Sequence, residues 1–483
     1  MEKINKIVKT LTEDEYRILE DQVSSNNADK SLQLLRFSRE NNLSDKDCIK
    51  ELDIKPNAFY TLKSRLGQKI YNFLVSKMEA PKLDLIKKVA FAGELMFTAE
   101  KEVVSATLKR LEKQLADYDL PYELTKIYQN LKKVYVNHPD QFYTYSQLYN
   151  KHVAFTLALD RAEEMVGQYF NLYGQYFFSR EDTELIQINI IHMELNSMCD
   201  LYESHRLFIY GSLVKVFSIL FIPNKFDKPN GSMGDIEDIF EEVDAIFLKY
   251  ENDPFYFQLS KGFDYLKLEY YHRLNLGKKE WEYYEILEPT MGEFLKYLNY
   301  YLFTPRLLFT KLEMYREAGK LDKLADENES FLTELNADKK DTYLYVVSKI
   351  YEAVSLMYDK KVEDAIRCLN NLRYDVTLRH LPHAEMEVKL LTACGYAMIN
   401  EADLCTTLIK SIQRQIRNSE EEMDGADYED ARIMLKILTK MVNFRENKQV
   451  DKVEQLIERF ERNNKGEKAV IPYFDTQLLL KYY

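Results

Sequence analysis

Glycine and proline are scarce in this sequence, with 14 and 11 copies among 483 residues. Ordinary soluble proteins contain about 7% glycine and 5% proline. Sandwiches, barrels and doubly wound sheets depend on these residues, because they need a turn about every ten residues. The scarcity therefore argues against turn-rich β folds and predicts an all-α protein.

Cysteine is also uncommon, with five widely separated copies and no CxxC pair. An odd number of scattered cysteines indicates reduced thiols in a reducing compartment. No segment has the apolar length of a signal peptide or a membrane span, and Lys215 interrupts the most apolar stretch. We therefore expect a cytoplasmic protein that does not enter the membrane.

Recognisable catalytic motifs are missing as well. The sequence contains no GxxxxGK[ST], GxGxxG, HExxH or GxSxG pattern. Its only close histidine pair, His380 and His383, is divided by Pro382, which prevents a regular helix from placing both rings on one face. We predict no catalytic residue, no cofactor and no metal site. An enzyme whose helical site carries no recognisable motif is kept as the last of three hypotheses.

The repeat pattern of the C-terminal half points to helical hairpins. Residues 353–372, AVSLMYDKKVEDAIRCLNNL, resemble a tetratricopeptide repeat, with a small residue early in the first helix and an alanine near the start of the second. The apolar positions of this unit are Ala353, Leu356, Val362, Ala365, Leu369 and Leu372. Looser copies put equivalent positions at 312, 395 and 441. Together with 353, these positions are separated by 41, 42 and 46 residues, whereas a tetratricopeptide period is about 34 residues.

This pattern predicts an α-solenoid of antiparallel helical hairpins, tetratricopeptide-like, with a small helical module at the N-terminus. The expected domains are an N-terminal module at 1–80, a hairpin array at 81–222, a loop at 223–235 and a second hairpin array at 236–483. The loop is expected because PNKFDKPNGSMGD holds two prolines and two glycines in thirteen residues.

The N-terminal module contains a second resemblance, in residues 44–74. Two short apolar helices there, the second beginning near TLKSRL, are similar to the helix-turn-helix of sigma-factor region 4. The resemblance implies DNA contact by the face opposite the apolar stripe. Its candidate residues are Lys55, Asn57, Tyr60, Thr61, Lys63, Ser64 and Lys69. Residues 50–77 carry a local charge of +4 in a chain of net charge −13, although a two-helix hairpin with a solvated basic face is the more common source of such a patch.

Aromatic residues are abundant, with 36 tyrosines, 26 phenylalanines and one tryptophan, and they cluster between Tyr250 and Phe303. Tyrosine offers a large apolar area and a polar tip, which suits both helix packing and partner binding. The rings therefore either fill the space between helices or line a groove for a partner. The candidate groove residues are Tyr265, Tyr271, Trp281, Tyr297 and Tyr300.

These observations favour a scaffold or adaptor that binds a protein or peptide on the concave face of a helical array and performs no chemistry. The alternative is a transcriptional regulator in which the N-terminal module contacts DNA and the repeats sense a peptide or protein. That order of domains resembles peptide-sensing regulators. Nucleic acid is expected at the N-terminal module alone, since the acidic remainder disfavours it.

Overall fold

The structure is a computed structural model of the chain. It describes residues 8, 16–17, 19–20, 23, 29–40, 45–77, 81–222, 235–251, 253–297, 302–422, 428–443, 450–465 and 469–482. These residues are overwhelmingly helical and contain no strand, so the predicted all-α class is confirmed. The chain divides into two compact units, residues 1–148 and 149–483.

The first unit contains six complete helices and the start of a seventh within its described residues. They are α1 (Asp29–Glu40), α2 (Asp45–Glu51), α3 (Pro56–Lys77), α4 (Pro81–Thr98), α5 (Lys101–Asp117), α6 (Pro121–Val134) and the beginning of α7 (Pro139–Ser179). Side chains from α1, α2 and α3 share one core with Val8, Leu19 and Val23. The small N-terminal helices therefore pack on each other.

The second unit continues α7 and adds helices to near the end of the chain. They are α8 (Asp182–Leu201), α9 (His205–Phe221), α10 (Asp235–Lys249), α11 (Pro254–Arg273), α12 (Gly277–Leu287), α13 (Met291–Tyr297), α14 (Leu307–Glu317), α15 (Leu321–Leu335), α16 (Thr342–Tyr358), α17 (Val362–Asp375), α18 (Pro382–Met398), α19 (Ala402–Glu422), α20 (Glu429–Asn443), α21 (Val450–Asn463) and α22 (Gln477–Leu480). Short 3-10 turns lie at Glu288–Thr290 and Leu378–His380.

Prolines mark where helices begin. Six helices have proline as their first residue, where a backbone N–H is not needed for the helical ladder. These prolines are Pro56, Pro81, Pro121, Pro139, Pro254 and Pro382. The few prolines of the sequence are therefore concentrated at helix starts.

One turn conformation recurs between paired helices. After each of α11, α14, α16 and α18, one residue has a left-handed φ. The amide of the next residue then donates to the carbonyl oxygen five residues before it, at 2.9–3.0 Å. The left-handed residues are Asn275, Gly319, Lys360 and Asn400, with φ between 53° and 68°. This is the Schellman ending, and glycine or asparagine usually occupies its left-handed position. The four helix pairs α11–α12, α14–α15, α16–α17 and α18–α19 therefore turn in the same way.

The two compact units do not coincide with the domains expected from the sequence, whose boundaries stay a prediction. The units meet between residues 148 and 149, within α7 and within the expected 81–222 array. Residues 223–234 of the expected loop lie outside the described residues, and Asp235 begins α10. A continuous helix carries no turn residues to mark such a boundary, so composition could not indicate it.

Candidate functional site

The N-terminal candidate surface is built on a tight turn between α2 and α3. Asp53 has a left-handed φ of 45°, and the Ile54 amide donates to the Ile49 carbonyl oxygen at 3.4 Å. Aspartate visits this conformation more readily than most residues because its short side chain can hydrogen-bond locally. The turn places Cys48 of α2 and Phe59 of α3 in the same core.

The residues predicted to contact DNA divide into two groups. Lys55, Asn57, Tyr60, Thr61 and Ser64 are exposed, and the Tyr60 ring keeps 55% of its accessible surface. Four of them occupy the start of α3, on the side opposite the buried stripe that contains Phe59 and Leu66, and Lys55 immediately precedes the helix. The structure therefore brings these five side chains to one solvent-facing stretch of the chain.

The other two predicted residues are engaged within the protein. The Lys63 ammonium lies 2.8 Å from a carboxylate oxygen of Asp45, and both side chains are about 30% exposed. The Lys69 ammonium donates to the Val23 carbonyl oxygen at 3.4 Å. Both lysines therefore tie α3 to neighbouring segments, and neither is wholly solvated.

Two of the three described members of the predicted aromatic groove are interior. Tyr265 is fully buried beside Phe294, and Tyr271 is buried with its ring stacked 5.6 Å from that of Tyr283. These rings fill the space between helices, which is the alternative that the sequence offered for them. Tyr300 and the side chain of Tyr297 lie outside the described residues.

Among the described members of the predicted groove, Trp281 is the most accessible. Its ring is half-buried and meets Tyr284 and Tyr315 edge-on at 5.4 and 5.3 Å. The Lys320 ammonium lies 4.3 Å from the centre of the ring, in a cation–π contact. The indole therefore caps a ring cluster, with a cation on its face.

Helix α8 carries apolar residues on two faces. One face is buried and contains Leu185, Ile188, His192 and Leu195. The other, which we call the α8 stripe, consists of Ile186, Ile190 and Met193, which are 48%, 52% and 62% exposed. The spacing of four and then three residues aligns them along the helix. Sequence analysis did not identify this stripe, although its period is visible in ELIQINIIHM.

A cavity of about 440 Å³ lies inside the second unit, and we call it the arginine cavity. Arg180, Arg273 and Arg306 line it together with aromatic and aliphatic side chains of α7, α9 and α14 and with the C-terminal segment around Tyr473. The rings of Phe309 and Tyr473 stack 4.0 Å apart. The three arginines are 93 and 33 residues apart along the chain, so no local motif announced the site.

The carboxylates of the arginine cavity have partners of their own. A Glu313 carboxylate oxygen lies 3.5 Å from His272 Nε2, and His272 Nδ1 is 2.9 Å from a carboxylate oxygen of Glu280. Burial opposes the charge on His272, but Glu280 and Glu313 outweigh it and raise the pKa of the imidazole to about 10. Glu387 lies 3.3 Å from His383 Nε2 and accepts from the Ile471 amide.

The described residues contain neither a metal-ligating cluster nor a helix that could span a membrane. Within the described part of the chain, no three or more histidine, cysteine, aspartate or glutamate side chains are grouped as a metal ion requires. His383 is instead placed against Glu387 on α18. None of the helices described above combines the length and apolarity needed to cross a membrane.

Comparison with known proteins adds no relative. No protein-family model matches the sequence, and neither a curated protein nor a solved structure is detectably similar to the chain.

Proposed function

We propose that the chain is a non-catalytic adaptor that binds another protein through a tetratricopeptide-like array of helical hairpins. The recurring turn supports this, because four helix pairs of the second unit end their first helix in the same left-handed conformation. A hairpin buries its apolar face against its neighbours, and a row of hairpins then presents a long concave surface to a partner.

The α8 stripe carries the proposal. Ile186, Ile190 and Met193 form an apolar row on a helix whose opposite face is already buried. Helical partners dock through anchors at this spacing, and their apolar face covers the row. Covering it on binding would remove the exposed half of three large side chains from water, and each would stabilise a complex by roughly half of the 1.5–3 kcal/mol that full burial gives. We therefore infer that the partner presents an amphipathic helix.

The test is affinity purification of the whole chain from the native host, with and without Ile190→Asp. The substitution puts a charge in the middle of the stripe, and because Ile190 is half exposed it should leave folding intact. We expect a protein that co-purifies with the wild type to be lost with the variant.

The matched control is Tyr374→Asp, since Tyr374 is 90% exposed and lies on α17, away from α8 in sequence. This variant should retain the partner. Recovery of identical proteins with wild type and Ile190→Asp would refute the α8 stripe as the binding surface.

A second function is favoured by a different observation, the exposed start of α3. In helix-turn-helix proteins the second helix enters the major groove and its N-terminal residues contact base edges. Asn57, Thr61 and Ser64 supply donors and acceptors there, and Lys55 supplies a cation for a phosphate. We propose DNA binding by this surface as the alternative role, with the second unit acting as the sensor.

Duplex DNA binding by the whole chain, measured as a function of salt concentration, tests the alternative. Lys55→Glu should weaken binding to all sequences and lower the salt slope by about 1. Lys278→Glu is the control, because Lys278 is an exposed lysine in the second unit. An unchanged isotherm for Lys55→Glu would exclude this surface.

A further inference from the structure

The guanidinium groups of the arginine cavity lie against aromatic rings. The Arg273 and Arg306 guanidinium carbons are 4.9 and 4.8 Å from the centre of the same ring, Phe221, and the Arg180 guanidinium carbon is 5.0 Å from the centre of Phe177. Flat cations on rings keep their N–H edges directed outward. Three such edges therefore converge on one cavity of about 440 Å³.

Those N–H groups are short of acceptors. The Nε atoms of Arg180 and Arg306 are buried, and neither has a hydrogen-bond partner in the described part of the protein. The carboxylates of Glu269 and Glu313 both act on the charge of Arg306, but the Glu269 oxygen is 3.9 Å from Nε, which is longer than a hydrogen bond. Buried donors are almost always satisfied in native proteins, so unpaired ones here indicate a missing acceptor.

Like charges also face each other. Burial and then the neighbouring Arg306 guanidinium lower the pKa of Arg273, since each makes the positive charge of Arg273 less favourable. The lining holds three arginines and two glutamates, and Glu313 and Glu387 each already contact a histidine. An anion between the arginines would relieve the repulsion.

The backbone at the cavity is held in uncommon conformations. Arg180 has a φ of 60° and Ile471, beside the lining residue Pro472, has a φ of 48°. Left-handed φ is rare for a β-branched residue and tends to occur where a site requires it. The Ile471 amide is held by Glu387 at 3.3 Å, which fixes the C-terminal segment against the cavity.

We propose that the arginine cavity binds a small organic anion, with its carboxylate or phosphate head between Arg180, Arg273 and Arg306 and its apolar body against the remaining aromatic and aliphatic side chains of the lining. Guanidinium groups pair with either head through two parallel hydrogen bonds. The volume lies in the range of about 300–1,000 Å³ that small-molecule sites occupy, and the ring-lined wall suits an aromatic or aliphatic body. This site is separate from the α8 stripe.

Ligand-observed NMR on the whole chain tests the proposal with four probes: phenyl phosphate, phenylacetate, inorganic phosphate and uncharged 2-phenylethanol. We expect at least one aromatic anion to bind about tenfold more tightly than 2-phenylethanol, as charge-assisted hydrogen bonds require. It should also bind more tightly than inorganic phosphate, which lacks the apolar body. The stronger of the two aromatic anions identifies the head group.

Arg273→Gln is the decisive variant, because Arg273 is the last residue of α11 and part of its side chain reaches solvent, so its loss should not prevent folding. It should weaken binding of the preferred anion about tenfold. It should not lower the unfolding temperature of the free protein, since it removes repulsion with Arg306. Arg273→Lys should bind the preferred anion with an affinity between those of the wild type and Arg273→Gln, because lysine keeps the charge and lacks the planar guanidinium.

Arg367→Gln is the control, since Arg367 is an exposed arginine on α17 that is paired with Asp364, and it should bind as the wild type does. The proposal is overturned if 2-phenylethanol binds as tightly as both anions, if no probe binds at millimolar concentration, or if Arg273→Gln leaves the affinity unchanged.

Discussion

Basic side chains occur in two contrasting settings in this molecule. At the start of α3, Lys55 is solvated, and Lys63 shares a partly exposed ion pair with Asp45. In the arginine cavity, Arg306 has a buried Nε, and its nearest carboxylate, that of Glu269, is only 1% exposed. The same charge is weakly coupled to its surroundings in the first setting and strongly coupled in the second, because the effective dielectric is lower inside the protein.

The comparison shows what a local charge count can find. The lysines of α2 and α3 are neighbours in sequence and stand out as a basic patch. The three cavity arginines are isolated in sequence, and each has acidic residues elsewhere on its own helix or nearby. Only the packing of separate helices collects them into a cluster, so a scan for net charge overlooks the more strongly coupled site.

Glu269→Gln is expected to have the largest effect on the free energy of unfolding, and it tests whether the cavity charges are strongly coupled. The change keeps the size of the side chain and the contact with Thr310 but removes the negative charge beside Arg306. We expect a loss of about 2–3 kcal/mol in the free energy of unfolding, because a charge left alone in a buried setting is costly. Urea titration of the whole chain measures it.

The control is Glu285→Gln on the exposed side of α12, which should leave the urea midpoint unchanged. If Glu269→Gln were as neutral as Glu285→Gln, the cavity charges would be as well solvated as those of α3, and the contrast between the two settings would disappear.

A second effect concerns the pH dependence of stability. His272 has a pKa raised to about 10, against an ordinary value near 6.5. The stabilisation that protonated His272 gives the folded protein is complete below pH about 6.5 and is lost as the pH rises through 10. Between pH 7 and 9 the wild type should therefore lose about 1 kcal/mol of stability per pH unit relative to His272→Gln.

His192 supplies the opposite dependence within the same unit. It is only 3% exposed, and burial with a smaller effect of Lys215 lowers its pKa to about 4. Its contribution is complete above pH about 6.5 and is lost as the pH falls through 4. Thermal unfolding of wild type and His272→Gln at several pH values should separate the alkaline loss from the acid one. Parallel curves for the two proteins above pH 7 would contradict the His272 assignment.

The smallest effect is expected from Lys63→Gln. This change breaks the ion pair with Asp45, and both partners are about 30% exposed. We expect a loss of about 0.5 kcal/mol, which high salt should reduce further. Urea titrations at low and high salt measure it, with Lys50→Gln on the exposed side of α2 as the reference. If Lys63→Gln lowered the free energy of unfolding as much as Glu269→Gln does, the two ion pairs would lie in equally solvated surroundings and the comparison would fail.

Much of the fold could be predicted from local signals. Low glycine and proline content excluded turn-rich folds, and prolines such as Pro121 and Pro382 mark helix starts because their rings are compatible only with the first turn. The helix pair in residues 353–372 was also predicted, and its turn lies at Lys360 between α16 and α17. These features depend on residues close together in the chain.

The candidate sites were harder to predict, for two physical reasons. A tyrosine at helical spacing has the same pattern whether its ring faces solvent or a neighbouring helix, so Tyr265 could not be recognised as a core residue. The exposure of Ile190 depends on which side of α8 its neighbours cover, and that is a property of the packed unit.

By itself the amino-acid sequence determined that this protein is helical, where the six helices that begin with proline start and where its N-terminal basic residues lie, because these properties arise from backbone preferences and charge within a few residues. Tertiary structure alone decided which aromatic rings are interior and which arginines meet. Burial and electrostatic coupling depend on distances between segments that are far apart in the chain, and only the folded arrangement sets those distances.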